Sequence, residues 1–276
     1  MQEPPKETLH RWLISTMTFL VLAIFMTIFF QIISLGAEHW HIGFLSNVPL
    51  DAGRSGGIYP VIISTWLILI CCMSVVIPLG LGCAIYLYLN HHFNATSNSF
   101  FLMCSDVLAS IPSIVYGLLG ASLFCDILQL GYSILSGGLT LACMVLPLFI
   151  RLNHQILKSI PKAWIYASHT TGLSQWRFLF QIVFPKFSPQ FSGIFILCLG
   201  RAMAETAALL FTSGYVLRTP ESIFDSGRSL SVHIYELSMN LPGGDGPAAA
   251  SALFLLLFLI ASTSIAQLLA KKWTLA

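Results

Sequence analysis

An all-α, polytopic membrane bundle of six transmembrane helices is the fold class that this 276-residue sequence predicts. Three observations carry that reading. Only 9% of residues are charged, against roughly 25% in a soluble domain. Apolar residues make up 56%, and mean hydropathy is +0.82. Six apolar runs are long enough for a hydrocarbon core of about 30 Å, which takes roughly 20 helical residues to cross. So little polar surface could not clothe a soluble globule, and the composition excludes a disordered chain. The 13 Lys+Arg and 11 Asp+Glu leave a net charge of +2, which gives no basis for a nucleic-acid partner.

The first run, Leu13 to Gly36, is longer than a signal-peptide core of roughly 7–15 residues. The second, Ile58 to Leu89, contains Pro78 and Gly80. The third, Phe100 to Leu130, has Pro112 inside it. The fourth is Tyr132 to Ile150, the fifth Phe191 to Leu217 and the sixth Ala248 to Ala270. Pro78, Pro112 and Pro147 mark expected kinks. All seven cysteines fall in apolar stretches, with no disulfide framework or metal spacing. His39 and His41 read as polar loop residues.

Six spans put both termini on one side. With the termini inside, the inner segments hold Lys6, Arg11, Arg151, Lys158, Lys162, Arg177, Lys186, Lys271 and Lys272. The outer loops hold only Arg54, Arg218 and Arg228. Positive residues collect on the cytoplasmic side, so both termini are expected there. The Asn94-Ala95-Thr96 sequon then faces the cytoplasm. The chain divides into an entry segment (1–57), a five-helix core (58–270) with an inner loop (151–188), and a tail (271–276). An outer loop from Arg218 to Pro247 holds a short helix, Ser229–Met239, followed by the breaker cluster Pro242-Gly243-Gly244-Asp245-Gly246-Pro247.

The inner loop Arg151–Ser188 has a pattern of its own. Pro161 can open a helix over Lys162–Thr171, and Gly172 suits the left-handed position after it. Ser174 can cap a second helix, Gln175–Phe184, which stops before Pro185. On pattern alone an interfacial hairpin with Trp164, Tyr166 and Trp176 among the head groups fits as well.

The spacing of this loop resembles the cytoplasmic EAA loop of ABC importer permeases, E-A-A-x3-G-x9-I-x-L-P. Here it reads Tyr166-Ala167-Ser168, Gly172, then Ile182-Val183-Phe184-Pro185. The chain departs from that pattern at Tyr166, which replaces the acidic residue, at Ser168 and at Phe184. Further runs resemble the phosphate permeases of this family, of the PstA type: Gly57-Ile58-Tyr59-Pro60, Ile77-Pro78-Leu79-Gly80, Ile85-Tyr86-Leu87, Ile111-Pro112-Ser113-Ile114-Val115-Tyr116-Gly117, Arg201-Ala202-Met203-Ala204-Glu205-Thr206 and Val232-His233-Ile234-Tyr235. The resemblance implies a type-1 ABC importer permease fold in a bacterial inner membrane. It also implies that Tyr166, Ala167, Ser168, Gly172, Ile182 and Pro185 couple to a separate ATPase. The implied partners are a second permease subunit (PstC type), an ABC ATPase in two copies (PstB type) and a periplasmic phosphate-binding protein (PstS type). No cofactor is expected on this chain, ATP belonging to the ATPase; no G-x4-G-K-[ST] run occurs.

Arg201 and Glu205, four residues apart, would share one face of a helix. An arginine at mid-bilayer costs at least about 2.5–3.5 kcal/mol and usually faces a bundle interior or a water-filled path. Its guanidinium fork suits an oxyanion, and Glu205 would hold it in place. A self-neutralising pair that only orients the helix is the alternative. Asp106 and Asp126 sit near span ends, where they reach water. An intramembrane enzyme is disfavoured, since neither H-E-x-x-H nor G-x-S-x-G occurs. The sequence thus points to a transport subunit, for phosphate or another oxyanion, or to a structural membrane subunit.

Overall fold

The computed structural model describes residues 5–41, 43–89 and 95–274. Among these the regular structure is helical apart from one small hairpin. The sequon's Asn94 lies outside the described residues, as do the side chains of Lys6, Lys271 and Lys272. Helix α1 (Pro5–Glu38) matches the first apolar run and extends it. From Arg11 on its side chains are almost wholly exposed, as an apolar helix facing lipid would be, and it packs on α12 (Asp245–Thr274). A short helix α2 (Gly43–Ser46) leads into strands β1 (Pro49–Leu50) and β2 (Ser55–Gly56), paired antiparallel. Asp51 and Ala52 turn the hairpin at φ 51° and 58°.

The centre of the bundle is α3 (Tyr59–Leu89) against α6 (Ile134–Lys158). Pro78 and Pro147 lie inside these helices without ending them. Gly138 lets the two approach: a Cβ there would stand 2.6 Å from Cys71 Cβ and 3.1 Å from the Ile68 carbonyl. Ser133 caps α6 by accepting from the Ser136 N–H, as a serine at that position should.

The third run is not one straight helix. It breaks into α4 (Ala95–Ser110) and α5 (Ser113–Gly120), bent by 93°, and continues as a π-helical turn over Ala121–Ile127. The cause is local. Pro112 has no N–H for the Leu108 carbonyl and pushes Ile111 out of the helical region. That carbonyl instead accepts from the Ile111 N–H (3.2 Å) and from the Tyr116 hydroxyl (2.9 Å). The Pro112–Tyr116 spacing therefore carries its own repair.

The inner segment also differs from expectation. Helix α6 runs on to Lys158, so Arg151 lies inside it. Helices α7 (Lys162–Thr170) and α8 (Gln175–Phe178) follow. The second helix does not stop at Pro185: a π-helical turn, Leu179–Val183, runs straight into α9 (Phe184–Met203). Pro185 sits in the first turn of α9, and the wider turn before it accommodates the ring and the missing donor.

The fifth run breaks too. Helix α9 ends at Met203, and a short α10 (Ala207–Leu210) follows. Beyond it, α11 (Leu230–Met239) is capped by Ser229, whose Oγ accepts from the Val232 N–H at 3.2 Å, close to the expected bounds. Helix α12 starts at Asp245, inside the breaker cluster; Pro247 falls in its first turn, where an N–H has no intrahelical partner. Among the described residues, five helices are long and apolar enough to cross a membrane, or six if the bent α4–α5 pair is one span.

Candidate functional site

The two inner helices form a corner held against the bundle. Helix α7 ends at Thr170, and Gly172 follows at φ +67°. The Leu173 N–H bonds to the Ser168 carbonyl at 3.0 Å, the long-range bond of a Schellman ending with Gly172 at C′. Ser174 then accepts from the Arg177 N–H at 3.4 Å to start α8. A separate apolar core fixes the corner: Ala84 and Ile85 from α3, Leu157 from the end of α6, Ile160, and Phe178, Leu179 and Val183. Movement of the corner is thereby tied to the inner ends of α3 and α6.

Of the expected coupling residues, Tyr166, Ala167 and Gly172 are exposed on the corner, while Ser168 is buried and donates to the Ile165 carbonyl at 2.7 Å. Ile182 and Pro185 are exposed further along, on the π-helical turn and the start of α9. Tyr166 and Ser168 also border a cavity of 560 Å³ between the corner and the inner ends of α3 and α6.

Arg201 lies exposed in the last turn of α9, near enough to Tyr116 to act on it electrostatically. Glu205 does not share its helix. It stands half-buried in the break between α9 and α10, and no ion pair joins it to Arg201 among the described residues. The Ser231 hydroxyl, brought by α11, donates to the Glu205 carbonyl at 2.6 Å. Nothing in the local run Ala-Met-Ala-Glu-Thr ends a helix by propensity; the break is supported from outside it. The α5 and α10 segments pack together at Gly117, where a Cβ would lie 3.0 Å from Ala208 Cα. The two interrupted spans thus meet, with Arg201 beside them.

Three features escaped the sequence reading. Asp106 on α4 is ion-paired with Arg151 on α6, so it does more than reach water. Both side chains are about 40–46% exposed, so the pair holds α4 to α6 with an energy of about 1 kcal/mol or less. No sequence separation marks such a pair. His233 is fully buried on α11, and both ring nitrogens lack partners. Burial and the neighbouring Arg228 guanidinium push it down to about 3, so the imidazole is neutral. Arg228 and His233 flank the Ser229 cap at the positions where an apolar pair usually fixes a helix entry. Gly53 of the hairpin turn packs on the same ring: a Cβ there would stand 2.6 Å from His233 Cε1. The cluster Pro49 to Gly57, rich in glycine, was the available signal for that turn. Among the described residues no group of His, Cys, Asp and Glu could hold a metal ion, and His39 and His41 remain exposed loop residues.

The described residues thus form an interrupted bundle of membrane-length helices with a bent helix pair at one end. Residues 76–275 match the family model described as binding-protein-dependent transport system inner membrane component, and the chain belongs to that family. It is a permease subunit of an ABC importer. It is 28% identical over 274 residues to the probable ABC transporter permease protein YqgI of Bacillus subtilis, covering 92% of this chain and 93% of the relative. The phosphate transport system permease protein PstC of Mycobacterium leprae is 28% identical, over 80% of this chain and 79% of its own length. The corresponding PstA of Xylella fastidiosa is 32% identical, over 52% of this chain and 51% of its own. Among solved structures, an inward-facing MetNI methionine ABC transporter chain superposes with a TM-score of 0.64 at 14% identity, over 78% of this chain and 97% of that one. This likeness supports the type-1 permease fold.

Proposed function

We propose that this chain is one of two permease subunits in an ATP-driven importer of inorganic phosphate. The observation that carries the substrate is Arg201, an exposed guanidinium placed where two interrupted spans meet. A fork of donors at that point suits a tetrahedral oxyanion, and broken helices are where transporters place their binding groups. The phosphate-system names of several relatives support the same choice. Glu205, not engaged with Arg201, leaves the guanidinium available and keeps a carboxylate nearby to speed release of the anion.

Alternating access is the mechanism. A binding protein delivers phosphate to the outer face. Closure of a separate ATPase pair moves the Tyr166–Pro185 corner, and the apolar core around Leu157 and Leu179 carries the movement to α3 and α6. The excess of basic residues in the inner segments supports a reading in which both termini and this corner face the cytoplasm; a bacterial inner membrane is the location that goes with an importer of this kind.

Uptake of labelled phosphate by the reconstituted transporter, with sulfate and molybdate as competitors, tests the substrate. Arg201→Ala should abolish uptake while the complex still assembles, and Arg201→Lys should restore part of it. Normal uptake by the alanine variant at low external phosphate would refute the pathway role.

A further inference from the structure

We infer that the 560 Å³ cavity between the coupling corner and the inner ends of α3 and α6 is a binding site for the phosphate head group of an anionic phospholipid. Tyr88, His154, Lys158, Lys162, Tyr166, Ser168 and Gln175 supply its polar lining. His154 and Lys158 are one turn apart on α6, and Lys162 comes from the first residue of α7. Leu89, Ile160, Ile165, Phe178 and Leu179 make the remaining surface apolar.

Charge decides the sign of the ligand. From Arg151 to Ser188 the chain has five Lys or Arg residues and not one Asp or Glu. At the first position of the loop motif stands Tyr166, whose phenol lines the cavity without adding a negative charge. A phosphate oxygen can therefore meet Lys158 and Lys162 with no carboxylate among the described lining residues to repel it.

Size and polarity decide between the two sources of a phosphate group. A free phosphate needs a small, fully polar cage, whereas this cavity is large and lined in part by leucine, isoleucine and phenylalanine. It lies at the inner ends of two membrane-crossing helices, the level at which basic pockets between helices take up lipid head groups. A head group there would bridge α7 to α3 and α6, so the lipid would stiffen the link through which the corner moves. The inference does not depend on which solute is carried.

The test uses the full chain assembled with its partner subunits in nanodiscs of phosphatidylcholine containing a minor fraction of phosphatidylglycerol. After extraction of loose lipid, native mass spectrometry reads what is retained. Phosphatidylglycerol should be retained in preference to phosphatidylcholine. Each lysine near an anionic head group contributes about a fivefold gain, so Lys158→Gln with Lys162→Gln should lower that preference roughly thirtyfold. The Lys158→Arg, Lys162→Arg variant should keep it, which separates lost charge from lost folding. Equal retention in the glutamine and wild-type proteins would overturn the inference. So would displacement of the retained lipid by inorganic phosphate, which would assign the cavity to the free anion.

Discussion

Gly172 offers a clean test of the coupling corner, because its backbone and its surroundings make separate demands. Its φ is +67°, yet beyond the glycine and its two chain neighbours no atom lies within 4 Å of where a Cβ would be. A side chain there meets open space, so substitution acts through the backbone alone. Gly172→Ala carries only the left-handed penalty of an L-residue, about 1–2 kcal/mol. That lowers the ratio of bent to unbent corner by about 5- to 30-fold. Asparagine tolerates this region better, so Gly172→Asn should lie closer to the wild type. Gly172→Pro locks φ near about −65° and forbids the bend outright, which also removes the bond from the Leu173 N–H to the Ser168 carbonyl. The buried residues around Leu157 and Leu179 are untouched, so the bundle itself should still assemble. The assay is ATP hydrolysis and solute uptake measured together in proteoliposomes holding the complete transporter. Uptake per ATP should fall in the order Gly, Asn, Ala, Pro, with hydrolysis continuing in the proline variant after uptake is lost. Wild-type uptake by Gly172→Pro, or equal defects in the alanine and proline variants, would show that the left-handed bend is not what couples the corner.

Two further outcomes follow from packing and burial. Gly138→Ala places a methyl against Cys71 and the α3 backbone, so overpacking should cost about 1–3 kcal/mol and lower the melting temperature in detergent. Gly193→Ala on α9 meets nothing within 4 Å and should be neutral or stabilising, by up to about 1 kcal/mol; equal losses in both would disprove the close-approach argument. His233 is held neutral in the fold, at about 3 against an ordinary value near 6.5, so the unfolded chain binds the extra proton. Stability is complete above about pH 6.5 and is lost as pH falls towards 3, by about 2 kcal/mol at pH 5. His233→Phe should flatten the melting profile over that range; an unchanged slope would place the acid sensitivity elsewhere.

Much of this architecture was legible from residue order alone. Apolar runs report spans because hydrocarbon tolerates no unpaired backbone, so hydropathy and helix length are tied together. The Ser229 cap of α11 and the Gly172 ending of α7 were readable because caps and left-handed turns are local chemistry, settled within a few residues. The 93° bend at Pro112 was only partly readable: proline marks an interruption, but its angle depends on where Tyr116 and the packing partners of α5 come to rest. Pro185 shows the converse, a breaker absorbed by the π-helical turn before it.

What the sequence by itself determined was the class of molecule, the number of apolar runs and the bent inner loop, all of which depend on periodicity and short-range steric rules. Only the tertiary structure decided that Glu205 leaves the helix of Arg201, that Asp106 meets Arg151, that His233 is sealed under Gly53, and that a cavity with two lysines in its lining opens behind Tyr166. Those outcomes are set by groups far apart in the chain, such as the Ser231 hydroxyl at the Glu205 carbonyl, and no local propensity encodes which distant partner will arrive.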